Sequence, residues 1–196
     1  MRTVIRLLHE GAEKFGDAAY LGEKTSNVYK TTSFKEADKI TKEFAAGLLL
    51  KGLQKGDAIS ILSEGRTNWV LSEFGLLKAG CISVPLSTKL SQSEVVFRLN
   101  HSESKALFTS ENNMHISIDS YKDAKIKPLI VCLSPKTEAL DAILKDSTFI
   151  HNKNFFYFDE IVDEGKKALE EKKELNGKNI DEVLLKIENN ISEEDT

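Results

Sequence analysis

The sequence predicts an α/β domain: a mostly parallel layered sheet with helices on both faces, plus a small N-terminal hairpin and a C-terminal helical extension. Three observations carry that prediction. Short β-prone runs begin at Ala58, Cys81, Lys105 and Leu129, a recurrence of about 24 residues, which is one strand, one crossover helix and two short loops. Runs such as Ala58 to Leu62 are nearly all apolar, as strands buried on both faces are. The segments between them carry helix signals of their own.

Taken in order, Val4, Ile5, Leu8, Ala12 and Phe15 recur at helical spacing, and Gly16-Asp17 can end that helix. Ala18 to Gly22 and Val28 to Thr32 read as two short strands around Thr25-Ser26-Asn27. Ser33-Phe34-Lys35-Glu36 is a capping-box pattern, in which the Ser hydroxyl accepts from the third helical N–H and the Glu reaches back to the N–H of the cap. The helix it starts has Phe34, Ala37, Ile40, Phe44 and Leu48 as its buried face, with Gly52 placed for a left-handed ending. Among the crossovers, Asn68 to Lys78 is rich in apolar residues, Ser91-Gln92-Ser93-Glu94 is a second capping box, and Ser134-Pro135 reads as an N-cap with proline at the first helical position. Phe155 to Phe158 supplies one more strand. Beyond it, Asp159 to Leu175 reads as a solvent-exposed Lys/Glu helix with a thin apolar edge at Ile161, Val162, Ala168 and Leu169, and Ile180 to Ile187 as a second helix after Asn176-Gly177.

With 196 residues and 40% hydrophobic side chains, the chain supports one well-buried main domain and an appendage. The domain division expected is 1–158, the α/β body, and 159–196, the charged helical extension. Net charge is −4, but residues 159–196 hold 13 acidic and 6 basic side chains, which leaves a mildly basic body. Only four arginines occur, Arg2, Arg6, Arg66 and Arg98, without the clustered basic stripe of a nucleic-acid binder. Two cysteines, Cys81 and Cys132, lack CxxC spacing and fit a reduced protein. The charged N-terminus has no signal-peptide run, and no apolar stretch approaches the roughly 20 residues that span a bilayer. A cytoplasmic protein is expected, with peripheral membrane contact left open.

No phosphate loop GxxxxGK[ST], no GxGxxG and no Gly-x-Ser-x-Gly elbow occurs. His9, His101, His115 and His151 have no ligand spacing and read as surface or helix-end residues. Trp69 reads as a core anchor, Arg66 as the partner of Glu64 in a local ion pair, and Glu193, Glu194 and Asp195 as a solvated acidic terminus. Candidate catalytic, cofactor-binding and metal-ligating residues are therefore none.

Three motifs nevertheless carry a resemblance. They are Thr32-Ser33-Phe34-Lys35-Glu36-Ala37; Lys55-Gly56-Asp57 followed by Ser60 to Arg66 and Trp69; and Leu77-Lys78-Ala79-Gly80-Cys81-Ile82-Ser83-Val84-Pro85-Leu86. In this order and spacing the chain resembles the N-terminal portion of an AMP-forming, adenylate-forming acyl-CoA synthetase of the long-chain fatty-acid–CoA ligase type. The likeness runs from about Val4 to about Phe108, including Leu99 to Lys105, and returns near the end. Gly65 stands where the family usually has Asn, and Ser83 where an aromatic or small residue is common.

The resemblance implies a complete enzyme that uses ATP, Mg²⁺ and coenzyme A to activate a fatty acid through acyl-AMP. It implies too that Ile191-Ser192-Glu193-Glu194-Asp195-Thr196 is the lead-in to a phosphate loop further along the same polypeptide. The remaining C-terminal part of that polypeptide would be this chain's partner, and the chain alone is expected to be inactive. Two other readings stay open: a standalone binding or interaction module on the same scaffold, and an unrelated flavodoxin-like nucleotide-binding domain.

Overall fold

A computed structural model describes residues 3–25, 27–145 and 147–191. The first half of the chain runs α1 (Val4–Phe15), β1 (Ala19–Thr25), β2 (Val28–Ser33), α2 (Phe34–Leu50), β3 (Ala58–Leu62), α3 (Thr67–Lys78), β4 (Ile82–Leu86) and α4 (Gln92–Ser102). The second half runs β5 (Ala106–Thr109), a 3₁₀ turn at Glu111–Asn113, α5 (Met114–Asp123), β6 (Leu129–Cys132), α6 (Glu138–Leu144) and β7 (Phe155–Tyr157). It ends with α7 (Phe158–Glu170), β8 (Glu174–Leu175), β9 (Lys178–Asn179) and α8 (Ile180–Asn189). Two compact units result. One contains the chain up to Lys55, Gly65–Cys81 and the chain from Ile161 onward; the other contains Gly56–Glu64 and Ile82–Glu160.

The second unit is a five-stranded sheet of order β4-β3-β5-β6-β7, parallel throughout and flanked by helices. Leu62, Leu107, Ile130 and Phe155 lie on one face and pack with Val95 and Leu99 of α4, Met114 and Ile118 of α5, and Leu140 of α6. Ile59, Ile61, Phe108 and Val131, which alternate with them along the strands, are fully buried as well. Each such side chain contributes roughly 1.5–3 kcal/mol on burial, against roughly 1 kcal/mol for a helix cap. The core therefore selects the sheet, and the caps set only where the helices begin. Ser60 is the polar exception within β3, and its hydroxyl is satisfied by Ser104 at 2.7 Å.

In the first unit, α1, α2 and α3 pack together beside the antiparallel β1–β2 hairpin. Both capping boxes form: Ser33 N donates to Glu36 Oε2 at 2.8 Å while Glu36 N donates back to Ser33 Oγ, and Ser91 N donates to Glu94 Oε2 at 2.8 Å. Helix α2 ends as its glycine implies. Gly52 takes φ +87°, its N–H donates to the Leu49 carbonyl, and Leu53 N–H reaches the Leu48 carbonyl. Gly80 ends α3 in the same way.

Several expectations are corrected. Helix α6 starts at Glu138, not after Ser134-Pro135: the cap is Thr137, whose hydroxyl accepts from Leu140 N at 3.1 Å. Helix α7 stops at Glu170, because Lys172 adopts a left-handed φ of +51° and Lys173 N–H closes on the Ala168 carbonyl. The next residues form a hairpin instead, with Leu175 opposite Lys178 and both Asn176 and Gly177 at positive φ, a type I′ turn. Nor is α7 solvated except for a thin edge: Ile161 and Ala168 are buried, and a Cβ on Gly165 would overlap the Glu43 carbonyl and lie 2.6 Å from the Gly47 nitrogen of α2. Trp69 is half-buried on α3 and is absent from the buried core. No helix among the described residues is long and apolar enough to cross a membrane.

A polar knot joins the three N-terminal helices. Lys78, at the end of α3, donates to Asp38 Oδ1 on α2 at 2.5 Å, and His9 Nδ1 of α1 lies 3.0 Å from Asp38 Oδ2. Burial pushes the Asp38 carboxyl up, but the Lys78 and His9 bonds and charges outweigh it and hold the pKa below its ordinary 3.8. A carboxylate with a depressed folded pKa contributes stability above its unfolded pKa and loses it as pH falls through the folded one. Asp38→Asn, which leaves the Lys78 ammonium without its counter-charge, is expected to cost about 1–3 kcal/mol at neutral pH. Urea denaturation at stepped pH should show that difference shrinking below about pH 4; a difference that stays constant down to pH 2 contradicts the assignment.

Candidate functional site

In a parallel α/β sheet, ligands approach the carboxyl ends of the strands. Here that edge carries a continuous polar network built in the second unit. The chain leaves β3 through Ser63 and Glu64, β5 through Ser110, and β6 through Leu133 and Ser134. Glu64 is the centre. Its Oε2 accepts from the Ser110 hydroxyl at 2.6 Å and Asn113 Nδ2 at 3.1 Å, and its Oε1 accepts from Asn112 Nδ2 at 3.0 Å. Asn113 Nδ2 also donates to Ser110 Oγ at 2.8 Å.

The turn after β5 is tied in turn to the end of β6. Glu111 N donates to Ser134 Oγ at 2.9 Å, and the Thr137 hydroxyl donates to Glu111 Oε1 at 3.1 Å. Beneath, Thr109 and Ser117 share a hydroxyl contact of 2.7 Å. Ser110 is fully buried and Asn113 nearly so, so the bonds these two make are shielded from water, where leaving one unmade is costly; Asn112 is exposed.

At the far end of the edge, Tyr157 closes β7. Burial, then the negative charges of Asp141 and Glu160 near it, push its phenol up to about 12. It stays a neutral donor or acceptor rather than a base. His151 Nε2 lies 2.8 Å from Glu160 Oε1, and Glu160 Oε2 also accepts from Tyr157 N. The arrangement braces loops; it does not present an activated nucleophile beside a base.

The other sequence-selected residues are dispersed. His9 faces Asp38, His101 stacks on Phe97 with ring centroids 5.5 Å apart, and His115 is exposed in the first turn of α5. Arg66 caps α3 with an extended backbone, and Thr67 N donates to Glu23 Oε2 at 3.0 Å. Cys81 and Cys132 are buried free thiols, the first facing the Gln54 carbonyl and the second that of Ser134. Among the described residues, no group of three His, Cys, Asp or Glu side chains could hold a metal. Ser192, Glu193, Glu194, Asp195 and Thr196 lie outside the described residues.

The Glu64 network is the feature that the sequence reading missed. Its three donors lie 46 to 49 residues along the chain, and only the pairing of β3 with β5 brings them together. Glu64→Ala is expected to destabilise the chain by about 1–3 kcal/mol, because it removes the acceptor of the buried Ser110 hydroxyl and one of the two acceptors of Asn113 Nδ2. Glu64→Gln, which keeps an acceptor oxygen, should cost less, and denaturant midpoints of the two variants compared with the parent read the difference directly. Equal losses, or none, contradict the role.

The comparisons with known proteins agree with this architecture. A profile of the AMP-binding enzyme family matches residues 8–180. The chain is 26% identical over 156 residues to a putative acyl-CoA synthetase, YngI, of Bacillus subtilis, covering 79% of this chain and 27% of that protein. It is 32% identical over 119 residues to fatty acyl-CoA synthetase A of Dictyostelium discoideum, covering 61% and 18%. The fold matches the adenylation domain of a carboxylate reductase from Mycobacterium chelonae with a TM-score of 0.75 at 19% identity, covering 85% of this chain and 29% of that one. It also matches a long-chain-fatty-acid–CoA ligase from Archaeoglobus fulgidus with a TM-score of 0.60 at 18% identity, covering 74% and 30%. The chain thus spans about a quarter of the lengths of such proteins. Matched by the family profile over most of its length, it belongs to the AMP-binding enzyme family.

Proposed function

We propose that this chain is the N-terminal scaffold part of a long-chain fatty-acid–CoA ligase, inactive alone. The complete protein would join a fatty acid to AMP with release of pyrophosphate, then pass the acyl group to coenzyme A with release of AMP. One observation carries the proposal: the family match runs from residue 8 to residue 180, while the chain spans only 18–27% of the acyl-CoA synthetases it resembles. The long-chain assignment draws support from the similarity to fatty acyl-CoA synthetase A and from the charged segment that follows the sheet.

The residues described here do not by themselves fit ATP or Mg²⁺. The donors Ser110, Asn112 and Asn113 at the carboxyl edge are already engaged by Glu64, and no group of three His, Cys, Asp or Glu side chains among the described residues could hold a metal. Adenylation depends on donors and a cation aimed at the transferring phosphoryl group. In this proposal they come from the rest of the polypeptide, together with most of the acyl pocket. The second unit's role is to hold the strand ends in register as one wall, and residues 159–196 lead onward to the phosphate loop.

The test is ATP–pyrophosphate exchange with a series of fatty acids. The 196-residue chain should give no exchange above a no-protein control, whereas the chain continued through its native downstream sequence should exchange, with long-chain acids preferred over short ones. Exchange by the isolated chain overturns the inactivity. A continued chain that prefers short or aromatic acids overturns the long-chain assignment.

A further inference from the structure

The first unit contains a cleft of about 400 Å³ between the β8–β9 hairpin and α8, within the range of small-molecule sites. Leu175, Val183 and Ile187 line it with apolar surface, and Lys55, Lys178 and Lys186 surround it. No carboxylate lines it, although residues 159–196 are the most acidic part of the chain. Two nearby lysines of this unit are paired, Lys42 with Asp181 at 2.7 Å and Lys51 with Glu164 at 2.6 Å. Lys178 and Lys186 have no such partner among the described residues.

The cleft is also built firmly. Gly80, at φ +76°, lies against one wall: a Cβ there would come within 2.8 Å of Ile187 Cγ2 and 3.0 Å of Lys55 Cβ. The Lys55 ammonium donates to the Asn190 carbonyl at 2.8 Å, at the C-terminal end of α8, where the helix dipole favours a cation. The type I′ turn at Asn176-Gly177 sets the opposite wall and fixes Lys178 at its rim. Lys55 is thus committed to structure, which leaves Lys178 and Lys186 to meet a ligand.

We propose that this cleft binds a free amphiphilic anion, a carboxylate with a medium-length alkyl tail, its head between Lys178 and Lys186 and its tail over Leu175, Val183 and Ile187. Charge complementarity selects the anionic head and the apolar lining selects the tail. The limited volume suits a free molecule rather than a membrane surface. The inference rests on this geometry alone and does not need the ligase reading, since it concerns binding without ATP.

Decanoate titrated into the isotopically labelled 196-residue chain, below its micelle concentration, tests it. Saturable shifts should appear at the amides of Leu175, Val183 and Ile187. The exposed double substitution Lys178→Gln/Lys186→Gln should weaken binding about tenfold, while Lys30→Gln on β2 leaves it unchanged. Decanol binding as tightly as decanoate, an affinity indifferent to the double substitution, or shifts confined to other residues would each overturn the proposal. So would binding to phosphatidylglycerol vesicles without binding to free decanoate, which would make the surface a membrane contact. None of these results depends on pyrophosphate exchange, so this inference and the ligase reading can fail separately.

Discussion

Three glycines set how closely helices can approach α2, and much of the first unit follows from that. From Phe44 to Leu50 the helix is apolar on all sides, the composition of a helix buried in a core. A Cβ on Gly75 of α3 would come within 2.6 Å of the Phe44 ring, and a Cβ on Gly165 would run into the α2 backbone beside Gly47. Backbones meet where side chains would normally keep helices 8–10 Å apart. With α7 seated there, the chain beyond it has a fixed starting point for the hairpin and α8. The Asp38–Lys78–His9 knot adds a polar tie at the other end of α2.

The second unit solves a different problem. A parallel sheet must be buried on both faces, so its chemistry can emerge only at the strand ends. Here the carboxyl ends are bound into one rigid edge by Glu64 and the turn after β5. Ser110, Asn112 and Asn113 all donate to that one carboxylate, which ties the strand ends together. Two residues of the family's motifs likewise hold the chain in place. Lys78 and Gly80 of the Leu-Lys-Ala-Gly motif make the point, the first as partner of Asp38 and the second as a left-handed helix ending against Ile187 and Lys55.

What could be read in the sequence was local. Both capping boxes, the glycine that ends α2, and the strand rhythm depend on residues within a few positions of each other, and all appear in the structure. The end of α7 was not legible, because a lysine rather than a glycine takes the left-handed position. Asn176-Gly177 is a strong hairpin signal, yet its flanking strands are two residues each, too short to show alternation. Gly165 is set among lysines and glutamates that give no local sign of its role; its contact with Gly47 spans more than a hundred residues. The Glu64 network and the lysine cleft were hidden for the same reason, since each assembles side chains from separate segments.

The central claim is that these residues form a scaffold that is folded in its own right. Native-state hydrogen exchange on the 196-residue chain tests it most directly. The amides of Ala45 to Leu49 in α2, and of Ile59, Ile61, Leu107 and Phe108 in the sheet, should be protected by about 10³-fold or more, as expected for cores that open only on global unfolding. Exchange of these amides at nearly unprotected rates would mean that the scaffold needs the rest of the polypeptide to fold, and would contradict the account.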